Sequence, residues 1–483
     1  MSQHSTLLLL PRELRDLIYD HFIGTKGYIH CPTTRKFTQK PDHQPVELAL
    51  TLTCHQLAAE VRDYAFRNST NNVTFPSIYT ADLRTAAGKW GEIFGILCHV
   101  EAQMLLLARG CLSPAIVEHV TTWFPQFRRL LDDLMRGASV EGFFMSCVWG
   151  EAPSLQAQFE LYTLRCMTSH PNFSADASSA VTSHWTRIGE PKRVVALEHT
   201  PWAMPSKEEM DAICRALQIQ DYATLSIPPW PRGKYRYSAA AGTIQFLDSV
   251  TPTVLQRLRK IVIVEDHLSV AHPMCHGQGL IEICQTNPNL RIERRVNLWR
   301  CILQTGVWAH EAIAIELNLN SESMLWRLGH LTASHVANCI ASWIVEAVAL
   351  RDLGMPEGCF TMVIDGNPSA EQSSPIFQVV EHRALQQHLK DLKDRTSTRI
   401  ERRLSKDHLY EGFPTMMDDI IRGRSVVKCD FEIGNLWPRL GSRYEDWDNA
   451  DLIERALEAY SLPDQFHLTA PLPTWRELMF ENH

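Results

Sequence analysis

Absences narrow this chain first. Its 13 cysteines include no Cys-x-x-Cys pair. Scattered thiols of that kind fit a reducing compartment better than a disulfide framework. Basic charge is not in excess: 47 Lys and Arg stand against 55 Asp and Glu, for a net charge of −8. That balance leaves no broad positive field to hold nucleic acid or an anionic membrane. The most apolar stretch, residues 336–350, is short for a membrane span and carries Glu346. Residues 7–10 are too few for a signal-peptide core, and no basic lead precedes them. The expectation is a soluble protein of the cytoplasm or nucleus, with no nucleic-acid and no membrane partner. Sequons at Asn68, Asn72 and Asn172 are then chance matches.

Catalytic signatures are absent too. No phosphate-binding loop with its lysine occurs, and no Gly-x-Ser-x-Gly elbow. Gly277-Gln278-Gly279 lacks the third glycine of a dinucleotide turn. His310-Glu311 opens like a zincin motif, but Ala314 stands where the second histidine must be. His267, His272, Cys275, His276 and Cys284 form one His/Cys cluster. Zinc needs about four converging ligands in short paired spacings, and adjacent Cys275 and His276 suit that poorly. No metal, no cofactor and no enzymatic activity are expected.

What is present is an ordinary globular composition, 45% apolar and 21% charged, which argues against long disorder. The length of 483 residues allows two to four domains. The most informative stretch lies at residues 9–22. Pro11 suits the first position of a helix. Leu14, Leu17, Ile18 and Phe22 then recur at intervals of three and four, which predicts a buried stripe, with Arg12, Arg15 and Asp16 on the wet side. Leu50, Cys54, Leu57, Ala58, Val61 and Ala65 offer a second stripe for it to pack on.

Leu10-Pro11-x-Glu13-Leu14-x-x-x-Ile18 resembles the opening of an F-box. Residues 52–60, Leu-Thr-Cys-His-Gln-Leu-Ala-Ala-Glu, resemble its second half. The combination is similar to F-box-like proteins of filamentous fungi, in which a loop separates the two halves. Here that insert is residues 24–45, and no Trp follows Cys54 at the usual distance. A segment around residues 258–299, with Glu265-Asp266, His276-Gly277, Asn287-Pro288 and Arg291-x-Glu293-Arg294-Arg295, is also similar to that group, which assigns no chemistry to it. The resemblance implies a substrate-recognition subunit of a cullin-type (SCF) ubiquitin ligase. Leu9, Leu10, Pro11, Leu14, Leu17, Ile18, Cys54 and Leu57 would belong to the adaptor-docking module, and the rest would hold a protein target.

The expected fold is α+β or α/β: a helical module at residues 1–76, a mainly helical part at 77–230, an α/β part at 231–375, and a charged helix, final helix and Pro-rich tail at 376–483. Residues 71–76 read as a turn and a brief strand, and 193–198, 243–247, 260–265, 290–296 and 360–364 as strands, with a hairpin at 28–31 and 36–38. Residues 170–183 read as a loop. Leu258-x-x-Ile261-x-Ile263 mimics one line of a leucine-rich repeat, but no fixed period follows. An irregular mixed sheet and a degenerate repeat-like sheet both remain open. Trp230, Tyr235 and Tyr237, beside Arg232, Lys234 and Arg236, suggest either an exposed target-binding loop or a pinned linker. The basic run from Lys390 to Lys406 reads as a solvated helix face. An intracellular scaffold that keeps the helical fold without ligase docking is the alternative function.

Overall fold

A computed structural model describes residues 6–23, 27–31, 34, 36–40, 44–46, 49–67, 72–137, 150–180, 188–219, 234–304, 331–393, 409–434 and 465–481. Trp230, the end of the basic run beyond Lys393, and the helix expected near residues 449–460 lie outside them.

The protein is a mixed helix and sheet fold. The strands are β1 (Tyr28–Cys31), β2 (Lys36–Gln39), β3 (Val73–Pro76), β4 (Lys260–Glu265), β5 (Arg291–Asn297), β6 (Leu331–Thr332), β7 (Phe360–Asp365), β8 (Val427–Cys429) and β9 (Gln465–Phe466). Seven of them form one sheet in the order β2-β1-β3-β4-β5-β7-β8. Only the β1–β2 hairpin is antiparallel; the other five pairings are parallel. Its parallel strands follow one another in chain order. Crossovers of one hand then return on one face of the sheet, without the reversal that coats both faces of a doubly wound sheet.

Register shows which face that is. Val73, Ile261, Ile292 and Phe360 align across four strands. All four are buried in the main core, with side chains from the helices at Ala239–Ser249, Ile281–Thr286, Ala333–Ala349, Ala370–Lys393 and Phe413–Ile421. The next row on the opposite face is Thr74, Val262, Glu293 and Thr361. It carries a charge ladder in which Lys260 pairs with Glu293, Glu293 with Arg295, and Arg295 with Asp365 and Asp430. Strands from residues 28–76 therefore share a sheet with strands from residues 260–429.

A second core is helical. It is built on α3 (Ala81–Leu107) with helices Pro114–Trp123, Arg128–Met135, Pro153–Met167 and Lys207–Ala216. Local chemistry sets the ends. Thr80, Ser113 and Ser206 each accept from the backbone N–H three residues on, and Ser206 and Glu209 complete a capping box. Among the described residues, one helical segment, Leu83–Cys111, is long and apolar enough to cross a membrane by length and composition. Its Ile93, Leu97, Val100 and Met104 lie inside this second core.

Three expected elements differ. Residues 243–247 lie inside the helix Ala239–Ser249: Ser238 caps it, and the buried Glu265 carboxylate accepts from Ala239 N and Ala240 N at its start. Residues 193–198 form no strand: Pro191 opens a short helix that ends at Val195, and the chain turns at Ala196. Phe173–Ala177 is a short helix within the expected loop, anchored by fully buried Phe173 and Ala177.

Candidate interaction surface

The first helix, α1 (Arg12–Ile23), lies against α2 (His55–Arg67). The face it buries is not the leucine stripe. Arg15 and Tyr19, one turn apart, face α2 and are 8% and 0% exposed. Both reach a single carboxylate. Glu60 accepts from Arg15 Nε at 2.8 Å, Arg15 Nη2 at 2.7 Å and the Tyr19 hydroxyl at 2.7 Å. The Glu60 carboxyl is held down to about 2, chiefly by its bond from Arg15. Arg15 also donates to the Leu10 carbonyl at 2.6 Å, which ties the Leu-Pro entry to the helix. Tyr64 donates to Asp20, and Tyr19 meets Tyr64 edge-on. Tyr19, Tyr28, Leu57 and Val61 form a small separate core.

This overturns the expected inward packing of Leu14 and Leu17. They are 46% and 67% exposed, beside Ile18 at 39%, while Arg15 is buried instead of wet. The physical reason is that an arginine and a tyrosine at i and i+4 can be buried together once one carboxylate satisfies both. The leucines are then turned outward. Leu9 (75%) and Leu52 (83%) are also exposed, Pro11 and Cys54 are exposed, and Leu10 is half-buried. Leu57 is buried against Tyr19, so it supports this surface from beneath and is not part of it. Five of the nine exposed large apolar residues among the described residues fall between Leu9 and Leu52.

Of the expected target-binding aromatics, Trp230 lies outside the described residues, and neither Tyr235 nor Tyr237 is exposed. Tyr237 is buried, and its backbone bridges to Ile78. Tyr235 is half-buried against Gly88, where an added Cβ would meet its ring at 2.7 Å. Tyr237 belongs to the helical core, and Tyr235 packs against it.

The His/Cys loop is architectural. His276 is buried, and its Nε2 lies 2.7 Å from the Ala271 carbonyl, so that nitrogen carries the proton. Its Nδ1 therefore accepts from the Ser238 hydroxyl, which in turn accepts from Ala241 N. Burial, with the Arg294 charge second, pushes His276 down to about 3. Cys275 donates to the His272 carbonyl. Among the described residues no three His, Cys, Asp or Glu side chains converge as metal ligands. Gly279 is required by packing, since a Cβ there would lie 2.6 Å from Ile244 and 2.7 Å from Trp202.

The conspicuous residues of 258–299 have the same character. Glu265 and Arg294 form a buried pair at 2.7 Å, with Arg294 also donating to the Pro273 carbonyl and lying 4.9 Å over the Trp343 ring. Asn287 donates to the Leu255 and Leu258 carbonyls. These side chains join β4 and β5 to the helices that cover them. One further buried cluster gave no signal in sequence: Glu101 of α3, Glu160, and His199, whose Nε2 is 3.5 Å from Glu101. Burial raises the Glu101 carboxyl to about 8 and the Glu160 carboxyl to about 7.

No protein-family model matches the chain, and neither a curated protein nor a solved structure matches it.

Proposed function

We propose that the protein is a non-enzymatic interaction protein, an F-box-like substrate-recognition subunit of a cullin-type ubiquitin ligase. In this account α1, its Leu-Pro entry and the Leu52–Cys54 segment dock the ligase adaptor, and the sheet-containing body holds a protein target. The observation that carries the proposal is the inverted orientation of α1. A salt-bridged Arg15–Tyr19 face holds the helix to α2 and leaves Leu9, Leu14, Leu17 and Ile18 exposed. An apolar set of this kind is what a docking surface needs, because a few buried anchors supply most of an interface's binding energy. Parallel strands in chain order, with helices on one face, are also in keeping with a degenerate repeat-like sheet as the body.

Affinity capture from a filamentous fungal lysate, read by mass spectrometry, tests the proposal. Adaptor and cullin should be recovered with the parent chain and lost with Leu17→Asp. The second reading is a scaffold without ligase docking. It draws on the continuity of β1 and β3 with the body's sheet, which builds the N-terminal region into the rest of the fold.

A further inference from the structure

Glu481 follows the helix Trp475–Phe480 and is held by two cations from distant parts of the chain. Arg300 donates to its carboxylate twice, from Nε at 2.6 Å and from Nη2 at 3.3 Å. Lys234 Nζ donates to its backbone carbonyl at 3.1 Å. Both cations are fixed from behind. Arg300 follows β5, where the Asn297 side chain accepts from Trp299 N and Arg300 N, and Trp299 is fully buried. Buried Arg236 donates to the Lys234 carbonyl and lies 5.1 Å over the ring of exposed Tyr79. The helix is anchored ahead of Glu481, by Trp475 and Leu478 in the main core. Core packing seats it, and Glu481 extends it to the two cations. The Arg300 and Glu481 side chains remain 27% and 33% exposed. An ion pair so open to water adds little to folding stability, so an equivalent pair can replace it at small cost.

We propose that Lys234 and Arg300 form a recognition site for a glutamate-bearing segment of a partner protein, which Glu481 occupies in cis as a built-in competitor. The site reads a residue within a polypeptide and not a bare carboxylate. The Arg300 fork takes the side chain in the two-point geometry that suits a carboxylate, while Lys234 takes the main-chain carbonyl. A partner's glutamate makes the same three hydrogen bonds once Glu481 swings away. The chain as a whole carries a net charge of −8, so no diffuse attraction draws an acidic segment to it. A local pair of cations must do so. Occupation in cis lowers the apparent affinity by the fraction of time the site is open. This surface belongs to the target-holding body of the proposed function and rests on that reading, but acidic-peptide binding needs no adaptor and can fail separately from adaptor docking.

The test follows the fluorescence anisotropy of fluorescein-labelled hexaglutamate titrated with the purified full chain, with hexaglutamine as the blank. Glu481→Gln should tighten hexaglutamate binding roughly tenfold, as for a site that is open about a tenth of the time in the parent. Glu477→Gln removes the same charge from the same helix. Glu477 bonds to Thr474 at the helix start, where glutamine serves equally in a capping box, so this variant should keep the parent's affinity. Adding Arg300→Gln or Lys234→Gln to Glu481→Gln should remove the gain. If Glu481→Gln fails to fold, Glu481→Asp takes its place: its shorter side chain reaches Arg300 less well, and binding should again tighten. Equal affinity in the parent and the Glu481 variant would overturn the proposal, as would an equal gain with Glu477→Gln or a gain that survives Arg300→Gln.

Discussion

Arg15 of α1 and Glu60 of α2 form a two-point ion pair at 2.7 and 2.8 Å, and this pair decides which way the first helix faces. A carboxylate that also takes the Tyr19 hydroxyl fixes Arg15 and Tyr19 inward. Leu14 and Leu17 are exposed as a direct result.

The orientation can be weighed by stability. Tyr19 is fully buried, so Tyr19→Ala should cost about 3–5 kcal/mol, the scale for truncating a buried aromatic side chain. Leu17→Ala should stay within about 0.5 kcal/mol, as for an exposed site. Urea unfolding of both variants checks the contrast. A large loss in Leu17→Ala with little in Tyr19→Ala would restore the buried leucine stripe.

Acid should loosen the same helix pair. The Glu60 carboxyl is held to about 2 in the fold against 4.5 for an unperturbed glutamate, so its stabilisation is complete above about 4.5. It is lost as pH falls from there towards 2, because the unfolded chain takes up the proton first. Hydrogen exchange in residues 12–23 should rise over that window in the parent. In Glu60→Gln it should be faster already at neutral pH and lack the Glu60 step.

The helical core should respond in the opposite sense. Glu101 at about 8 and Glu160 at about 7 hold protons that the unfolded chain releases near 4.5. Their contribution is therefore fully present below about 4.5 and declines as pH rises through 7 and 8. Glu101→Gln, which stays neutral, should raise Tm relative to the parent at pH 8 and change it less at pH 5. A Tm gain that is the same at both values would remove Glu101 as the titrating group.

At the sheet, Arg294→Ala should leave Glu265 buried without its countercharge and cost about 3–5 kcal/mol. A denaturation midpoint equal to the parent's would show that the pair contributes nothing to joining β4 and β5.

Much of the fold is legible from local pattern. Compact apolar runs at residues 260–265, 290–296 and 360–364 mark β4, β5 and β7, and Ser113-Pro114 and the Ser206 capping box mark two helix starts. The pattern of residues 243–247 misleads because their helix is fixed by Glu265, which lies 26 positions from Ala239 and is adjacent only in the fold. The same limit applies to the interaction surface. Periodicity locates α1 correctly, but it assigns the apolar stripe inward by default. Glu60 stands 45 positions from Arg15 and 41 from Tyr19, and nothing local to α1 announces their bonds. Glu101, Glu160 and His199 are silent for the same reason: each lies on a different segment and gains its meaning from burial.

The central claim is that the exposed side of α1 docks a ubiquitin-ligase adaptor. Its most direct test is calorimetric titration of the purified full chain with recombinant adaptor, using the parent, Leu17→Asp and Ile18→Asp. Saturable binding by the parent at micromolar concentration or below is expected, with loss of that binding in both variants at unchanged melting temperatures. A folded parent that fails to bind the adaptor, or variants that bind as the parent does, would contradict it.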